Sequence, residues 1–221
     1  MPLIMAYKAI LFDMDWTLVQ TDSRFRHYAV AKPLRHFGVK ISEEEMDALW
    51  YEGMRHAELE RLGVKDLCAF FKIFRDCQGG KYKNDIERRK RYTAAYQDVT
   101  VLPYLRDLGY KTGLVTTAPS FVADMETGLI NESLKGESKT FAFDSVKASA
   151  QKPTSILECL DELNVDRHEA VYVGDALTDI EAAKAAGVLD ILLKRHDVTD
   201  RSKPSVVVYS LHELKDFLET H

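Results

Sequence analysis

Hydrophobic and polar positions follow two different patterns along this chain, and the patterns divide it into two parts. In the larger part, short apolar runs alternate with segments of helical spacing, which is typical of a parallel sheet flanked by helices. The fold class that we predict is therefore α/β, a doubly wound, Rossmann-like parallel sheet covered on both faces. The runs predicted as strands are Lys8–Phe12, Lys111–Val115, Phe141–Val146, Ala170–Val173, Ile191–Leu193 and Ser205–Tyr209.

The second pattern, from about Arg24 to Tyr96, is helical spacing with almost no strand signal. Ser42 and Glu45 fit a capping box that opens a helix, and Leu67–Phe74 has the apolar character of a core helix. Gly79 and Gly80 predict a turn. We therefore predict a four-helix bundle inserted into the α/β core. The predicted domains are 1–20 with 99–221 for the core, and 21–98 for the helical insert.

The composition is that of an ordinary globular protein with a mild acidic excess. The chain has 221 residues, of which 46% are hydrophobic and 29% charged, and its formal net charge is -5. This balance gives no general attraction to nucleic acid or to an anionic membrane, so we expect neither as a partner. The one basic cluster, Glu87–Arg91, is interpreted as the solvated face of a helix.

Cysteine usage favours a reducing compartment. The three cysteines, Cys68, Cys77 and Cys159, form no CxxC pair and leave an odd count, so they predict neither a disulfide framework nor a zinc site. The apolar start of the chain has no basic segment and no small-residue cleavage site, and no stretch approaches the length of a membrane span. We therefore expect a cytoplasmic protein.

Polar side chains stand where predicted strands end. Asp13 and Asp15 follow the first strand, Thr116 follows the second, and Asp175 follows the strand at Ala170. Lys152 precedes a helix in the same half of the chain. Because ligands bind beyond the carboxyl ends of the strands in such sheets, we expect these groups to converge in space.

Convergence of these groups predicts a particular chemistry. Crowded carboxylates have raised pKa values unless a cation compensates them, and oxygen-only ligands suit Mg²⁺. Asp175 and Asp179 are spaced to share a face at a helix start, where negative charge is favoured. Lys152 adds a positive charge and Thr116 a hydroxyl. Each residue alone has an ordinary structural explanation, but together they are typical of phosphoryl transfer.

The motifs FDMDWTL, VTT, QKP and GDALTD, in this order, resemble the four motifs of the haloacid dehalogenase superfamily. The resemblance runs from Lys8 to Val188 and is especially close in YVGDALTDIEAAKAAGV. Within that superfamily, the chain resembles the capped phosphatases, including phosphoglycolate phosphatases and β-phosphoglucomutase-like members. The resemblance implies that the helical insert is the small cap domain of the family.

The resemblance also implies roles for four residues. Asp13 would be the nucleophile that forms an aspartyl-phosphate, and Asp15 would be the general acid and then the general base. Thr116 would hydrogen-bond the phosphoryl group, and Lys152 would neutralise negative charge. An aspartate at position 15 is typical of phosphatases and phosphomutases, since the dehalogenating members lack a carboxylate there.

A magnesium site is implied by the same resemblance. Mg²⁺ would be held by the side chains of Asp13 and Asp175 and by the backbone carbonyl of Asp15. Asp179 would be a ligand through water or would orient the site. The cofactor that we predict is therefore Mg²⁺.

Two departures from the family pattern, and two cap residues, concern substrate binding. Trp16 stands where glycine is commonest in the family, and we expect its ring to shape the entrance. Thr117 replaces an asparagine that often touches the phosphate or substrate. In the cap, Arg55 and His56 belong to a break between helices, which is either a solvated loop or, as in similar capped members, a segment that reaches the leaving group of the substrate. Arg55 suits a carboxylate or second phosphate of the substrate.

The function predicted is a Mg²⁺-dependent phosphatase of small phosphorylated metabolites, nearest to phosphoglycolate phosphatase, and either a monomer or a homodimer. One alternative is a phosphomutase of the same superfamily. Another is a receiver-like signalling module, which also uses aspartates, a threonine and a lysine. The long helical insert argues against that module, whose phosphorylated aspartate follows a later strand.

Overall fold

The structure is a computed structural model that describes residues 6–51, 54, 56–80, 83–137, 139–196 and 203–221. The chain divides into two compact units. One comprises Met1–Gln20 with Ala95–His221, and the other comprises Thr21–Ala94.

The described residues form eight strands and ten α-helices. The strands β1 to β8 are Ala9–Phe12, Val19–Thr21, Thr93–Ala95, Lys111–Thr116, Ser145–Ala148, Ala170–Gly174, Leu189–Leu193 and Val206–Val208. The helices α1 to α10 are Ser23–His36, Glu43–Tyr51, His56–Arg61, Leu67–Arg75, Lys83–Arg91, Val101–Asp107, Ser120–Leu134, Lys152–Leu163, Leu177–Ala186 and Leu211–Thr220.

Six strands form the sheet of the first unit, in the order β5-β4-β1-β6-β7-β8, and every neighbouring pair is parallel. Phe12 of β1 lies opposite Leu114 of β4 on one side and Val173 of β6 on the other. The chain extends the sheet from β1 first through β4 and β5, and then in the other direction through β6, β7 and β8. The carboxyl ends of β4, β1 and β6 therefore meet where the strand order reverses, the place where such sheets bind ligands.

Helices cover both faces of this sheet, because successive side chains of each strand point to opposite faces. Ile10 and Phe12 of β1 pack in a core with residues of α6, α7 and α10. Ala9 and Leu11 pack in a second core with residues of α8 and α9. The predicted α/β class, a doubly wound parallel sheet, is confirmed.

The second unit is helical and has its own core. Residues of α1, α2 and α4, including Val30, Leu49 and Phe70, are buried together. The predicted capping box is present: the Ser42 N–H donates to Glu45 at 2.8 Å, and the Glu45 N–H donates to the Ser42 hydroxyl at 3.2 Å. Strands β2 and β3 form a two-stranded sheet where the chain passes from one unit to the other and back. The role of the helical unit as a cap domain stays a prediction.

Three details of the sequence interpretation were wrong. The strand predicted over Phe141–Val146 begins at Ser145, because Phe141 and Phe143 pack against each other and into the core before the sheet starts. The insert has five α-helices among its described residues, not four. The basic run is not wholly solvated, since Arg89 is fully buried and contacts Gln78 and the Phe25 ring. Among the described residues, we find no helix with the length and apolar character needed to span a membrane.

Candidate active site

The first strand ends in a tight turn that carries two of the predicted site residues. Asp13 follows β1 directly; its N–H donates to the carbonyl of Val173 at 2.9 Å, and its side chain is buried. The carbonyl of Met14 then accepts from three successive N–H groups, those of residues 17–19. Asp15 is half-buried and bridges to the start of β2. The turn thus holds Asp13 and Asp15 at the carboxyl edge of the sheet.

Lys152 joins two of the buried carboxylates. It is the first residue of α8, and its side chain is buried. Its Nζ lies 3.0 Å from Oδ1 of Asp13 and 2.5 Å from Oδ1 of Asp179. Groups that are far apart in the sequence therefore form one ion-paired cluster, as the strand-end argument predicts.

The turn between β6 and α9 supplies the other two carboxylates. Oδ1 of Asp175 accepts a hydrogen bond from the Thr17 hydroxyl at 3.2 Å. Asp179 lies in the first turn of α9, where its Oδ2 accepts from the Ala176 N–H at 3.0 Å. Since both oxygens of Asp179 already accept hydrogen bonds, its carboxylate is fixed in orientation. This arrangement supports an orienting role for Asp179 more than direct ligation.

The carboxylates of the cluster have perturbed pKa values. Burial raises the pKa of Asp13 to about 7, although Lys152 opposes the shift. Burial, with the nearby charges of Asp179 and Asp13, also raises the pKa of Asp175 well above its usual range. Burial disfavours the Lys152 ammonium, but the two carboxylates beside it more than offset this and raise its pKa well above the usual value. Negative charge is therefore in excess in this part of the structure.

This excess fits a divalent cation. Asp13, Asp175 and Asp179 each offer a carboxylate oxygen, and these oxygens lie within 4.8 Å of one another. An all-oxygen donor set suits Mg²⁺, and a cation's charge would offset carboxylates that a single lysine leaves uncompensated. Within the described residues, the Asp15 side chain is not a member of this group, which is compatible with ligation through its backbone carbonyl. The residues present therefore fit the predicted cofactor.

Thr116 lies at the same edge of the sheet. It is the last residue of β4, is buried, and stands two residues beyond Leu114, the partner of Phe12. Its Oγ1 accepts from the Ala118 N–H at 3.1 Å. A hydroxyl that accepts one hydrogen bond still has its own proton to donate, so Thr116 can bond a phosphoryl oxygen. Thr117, the next residue, is exposed.

Trp16 occupies a backbone conformation that normally favours glycine. Its φ is +62°, in the left-handed region that costs a residue with a side chain about 1–2 kcal/mol. This geometry gives a physical reason for the glycine that is commonest at this position in the family. Trp16 is half-buried, and its ring lies in a T-shaped arrangement with the His196 ring, with centroids 5.9 Å apart. The strained backbone of Trp16 therefore occurs together with packing of its ring against His196.

The predicted cap residues belong to the helical unit. His56 begins α3, is exposed, and packs its ring 5.4 Å from the ring of Phe71. Arg55 lies outside the described residues, so its predicted contact with the substrate stays a prediction. The helical unit also has a cavity of about 520 Å³, lined by Arg24, Tyr28, Glu87, Arg88, Arg91 and Tyr92.

Three residues of the cluster were not predicted from the sequence: Thr17, Tyr172 and His196, whose Nδ1 lies 3.7 Å from Oδ2 of Asp175. Thr17 binds Asp175 through its hydroxyl, and the only signal was its place within FDMDWTL. Tyr172 is a fully buried phenol that donates to the carbonyl of Val115 at 3.1 Å and lies 3.4 Å from Oδ1 of Asp179. A hydroxyl inside the apolar run AVYV must find a buried partner, which is the signal that could have identified it.

Gly174 allows α9 to approach the end of β6. A Cβ at this position would lie 2.5 Å from both the Cβ and the Oδ2 of Asp179. We expect Gly174→Ala to displace the Asp179 carboxylate from Lys152 and to lower kcat by about 100-fold, since a shift of about 1 Å has an effect of that size. Steady-state kinetics of the folded variant test this. Gly128→Ala on α7 is the control, because its added methyl has open space; equal kinetics of the two variants would contradict the argument.

The fold and the cluster together agree with the family comparison. A sequence model described as haloacid dehalogenase-like hydrolase matches residues 10–192, which is most of the chain. The chain therefore belongs to the haloacid dehalogenase-like hydrolase family, as the four motifs indicated.

Individual relatives point to one enzyme class within that family. The chain is 24% identical to pyrophosphatase PpaX of Halalkalibacterium halodurans over 97% of this chain and 98% of the relative. It is 27% identical to a phosphoglycolate phosphatase of Aquifex aeolicus over 81% of each. The crystal structure of a HAD phosphatase from Thermococcus onnurineus matches with a TM-score of 0.63 and 27% identity, covering 96% of this chain and 97% of the other. These relatives support the predicted class, a phosphatase.

Proposed function

We propose that the chain is a Mg²⁺-dependent phosphatase that hydrolyses small phosphorylated metabolites through an aspartyl-phosphate on Asp13. The observation that carries the proposal is the position of Asp13. It lies at the end of the central strand, 3.0 Å from the Lys152 ammonium and within reach of the Asp175 and Asp179 carboxylates. A nucleophile beside a fixed positive charge, at the edge where three strands end, suits attack on a phosphoryl group.

In the first half-reaction, an oxygen of Asp13 attacks phosphorus while the bond from phosphorus to the leaving-group oxygen breaks. Asp15 gives its proton to that oxygen, so the leaving oxygen departs protonated. Lys152 holds the Asp13 carboxylate, and the Thr116 hydroxyl donates to a phosphoryl oxygen. The products of this half-reaction are a phosphorylated Asp13 and the leaving group, which is an alcohol from a phosphate ester and phosphate from pyrophosphate.

In the second half-reaction, Asp15 takes a proton from water as the water oxygen attacks phosphorus. The bond between phosphorus and the Asp13 oxygen breaks, and inorganic phosphate leaves. Asp15 is thus protonated again and Asp13 is free. The half-buried position of Asp15, two residues after the nucleophile, allows one group to serve in both half-reactions.

Mg²⁺, when bound, supplies positive charge that offsets the negative charge of the phosphoryl group. Asp13 and Asp175 would hold it, with the carbonyl of Asp15. The Thr17 hydroxyl keeps the Asp175 carboxylate in place, and Asp179 orients Lys152.

The substrate class follows from relatives whose names differ. One relative is named a phosphoglycolate phosphatase and another a pyrophosphatase. We therefore propose a small phosphorylated compound, with 2-phosphoglycolate and inorganic pyrophosphate as the first candidates. A phosphomutase is the alternative, because the same cluster could return the phosphoryl group to a sugar.

A substrate panel tests the proposal. Phosphate release from 2-phosphoglycolate, pyrophosphate, a hexose phosphate and p-nitrophenyl phosphate is measured in Mg²⁺ and in EDTA. We expect at least one substrate to turn over about 100-fold faster in Mg²⁺, since a metal contributes several kcal/mol to such reactions. Mg²⁺ is also expected to raise the melting temperature of the wild-type chain but not of Asp175→Asn.

Other outcomes decide against the proposal. Equal rates in Mg²⁺ and EDTA would exclude the metal-dependent reaction. A hexose phosphate that is isomerised without release of phosphate, as seen in its ³¹P spectrum, would identify a phosphomutase instead.

A further inference from the structure

The residue Arg195, just beyond β7, reaches the turn that follows β1. Its side chain is only 9% exposed and pairs with Asp98, whose side chain is 11% exposed. The pair is bidentate, since Nη1 donates to Oδ2 and Nη2 to Oδ1, each at 2.8 Å. A buried fork-to-carboxylate pair of this kind fixes the plane of the guanidinium.

Two further contacts complete the surroundings of Arg195. The guanidinium carbon lies 4.0 Å from the centre of the Tyr96 ring, so one face of the group is covered. Nη2 and Nε donate to the backbone carbonyl of Thr17 at 3.1 and 3.4 Å. Arg195 therefore connects a fixed support, Asp98 and Tyr96, to the backbone of the turn.

Thr17 carries this connection into the active site. Its carbonyl accepts from Arg195, and its hydroxyl donates to Oδ1 of Asp175 at 3.2 Å. It is also two residues after Asp15, within the same tight turn. The neighbour of Arg195, His196, meets the ring of Trp16, so two consecutive residues after β7 contact two consecutive residues of the turn.

We propose that Arg195 is a positioning residue for the proton-transfer step: held by Asp98 and Tyr96, it fixes the Thr17 backbone and so the position of Asp15. The proposal rests on the proposed function. Arg195 acts through Thr17 and not on the reacting atoms. A lysine cannot replace it, because one ammonium cannot form two parallel bonds to Asp98 and also reach the Thr17 carbonyl from the same plane.

The chain offers a control arginine that is more exposed than Arg195, with 41% against 9% of its side chain exposed. Arg106 has the same kinds of partner, away from the cluster: it donates to Asp144 at 3.2 Å and to the carbonyl of Ala142 at 3.0 Å, and it lies 5.8 Å from the Phe141 ring. Arg106→Met therefore removes an arginine, a carboxylate pair and a carbonyl contact without touching the turn after β1.

The experiment compares Arg195→Met, Arg195→Lys and Arg106→Met on two substrates. The leaving oxygen of an alkyl phosphate must be protonated as it departs. The leaving group of p-nitrophenyl phosphate is a phenolate, which departs readily without a proton from Asp15. If Arg195 positions Asp15, Arg195→Met lowers kcat/KM, which reports the half-reaction in which the leaving group departs, about 100-fold for the alkyl phosphate and about tenfold or less for the aryl phosphate. Arg195→Lys behaves like Arg195→Met, and Arg106→Met leaves both rates near wild type.

A merely structural role gives a different result. In that case Arg195→Met lowers both kcat/KM values by the same factor, either in proportion to the fraction unfolded in a melting curve or through the Asp175 carboxylate that Thr17 holds, and the positioning role for Asp15 is overturned. That result leaves the proposed function intact, provided that the wild type releases phosphate and Asp13→Asn does not. A wild type that releases phosphate from neither substrate would remove both proposals together.

Discussion

Asp13→Asn is expected to lower the rate of phosphate release by roughly 10³-fold or more, because an amide has no carboxylate oxygen to attack phosphorus. The exchange is nearly isosteric, and it removes one negative charge from a buried cluster in which carboxylates outnumber the single lysine. We therefore expect the fold to persist, with a melting temperature within about 4 °C of wild type, which corresponds to about 1 kcal/mol for a chain of this size.

The measurement is steady-state phosphate release in Mg²⁺, with p-nitrophenyl phosphate and with the best metabolite of the panel, beside a thermal melt of each protein. Asp124→Asn is the control, because it makes the same chemical change at an exposed aspartate of α7 that is far from β1 in sequence. Its rate should equal that of wild type. Turnover by a well-folded Asp13→Asn within tenfold of wild type would mean that another residue is the nucleophile.

The sheet and its polar edge could be predicted because they depend on local patterns. A buried parallel strand is apolar throughout, so β1 and β6 stand out as runs that end at Asp13 and Asp175. The rule that ligands bind beyond strand ends then brings those carboxylates together without knowledge of any contact. The ion pairs of Lys152 with Asp13 and Asp179 agree with that rule.

The supporting contacts could not be predicted, since they join residues that no local pattern relates. The Thr17 hydroxyl meets a carboxylate 158 positions away, and the Arg195 guanidinium meets a carbonyl 178 positions away. Neither residue type indicates its partner, because a threonine after a turn and an arginine after a strand have many possible roles. Only the register of β1, β6 and β7 brings them into contact.

Trp16 shows how a departure from a family pattern is explained by backbone geometry. From the sequence alone, the Trp16 ring is expected to shape the entrance to the site. The φ of +62° explains the glycine preference of the position by conformation alone. The role of the Trp16 ring in substrate binding stays a prediction. The structure shows one neighbour of the ring, His196.

Lys152→Met is expected to lower kcat by about 10²–10³-fold, because it removes a positive charge aimed at the nucleophile and the phosphoryl group. It is also expected to reduce the free energy of unfolding in EDTA by about 3–5 kcal/mol, since breaking a buried ion pair leaves charge uncompensated. Methionine keeps an unbranched stem of similar length, so the loss of charge is separated from a loss of packing. Both quantities are measured on one preparation, by urea unfolding and by steady-state kinetics.

The matched control is Lys8→Met, which removes the same charge from a lysine that is 58% exposed and paired with Glu169. A surface pair contributes about 1 kcal/mol or less, so Lys8→Met should leave stability and kcat near wild type. The kinetic loss in Lys152→Met must exceed the fraction unfolded under assay conditions, because the lysine is assigned to charge stabilisation as well as to the fold. If kcat per folded molecule were unchanged, Lys152 would only hold the carboxylates together, and the Thr116 hydroxyl and the cation would have to stabilise the phosphoryl charge without it.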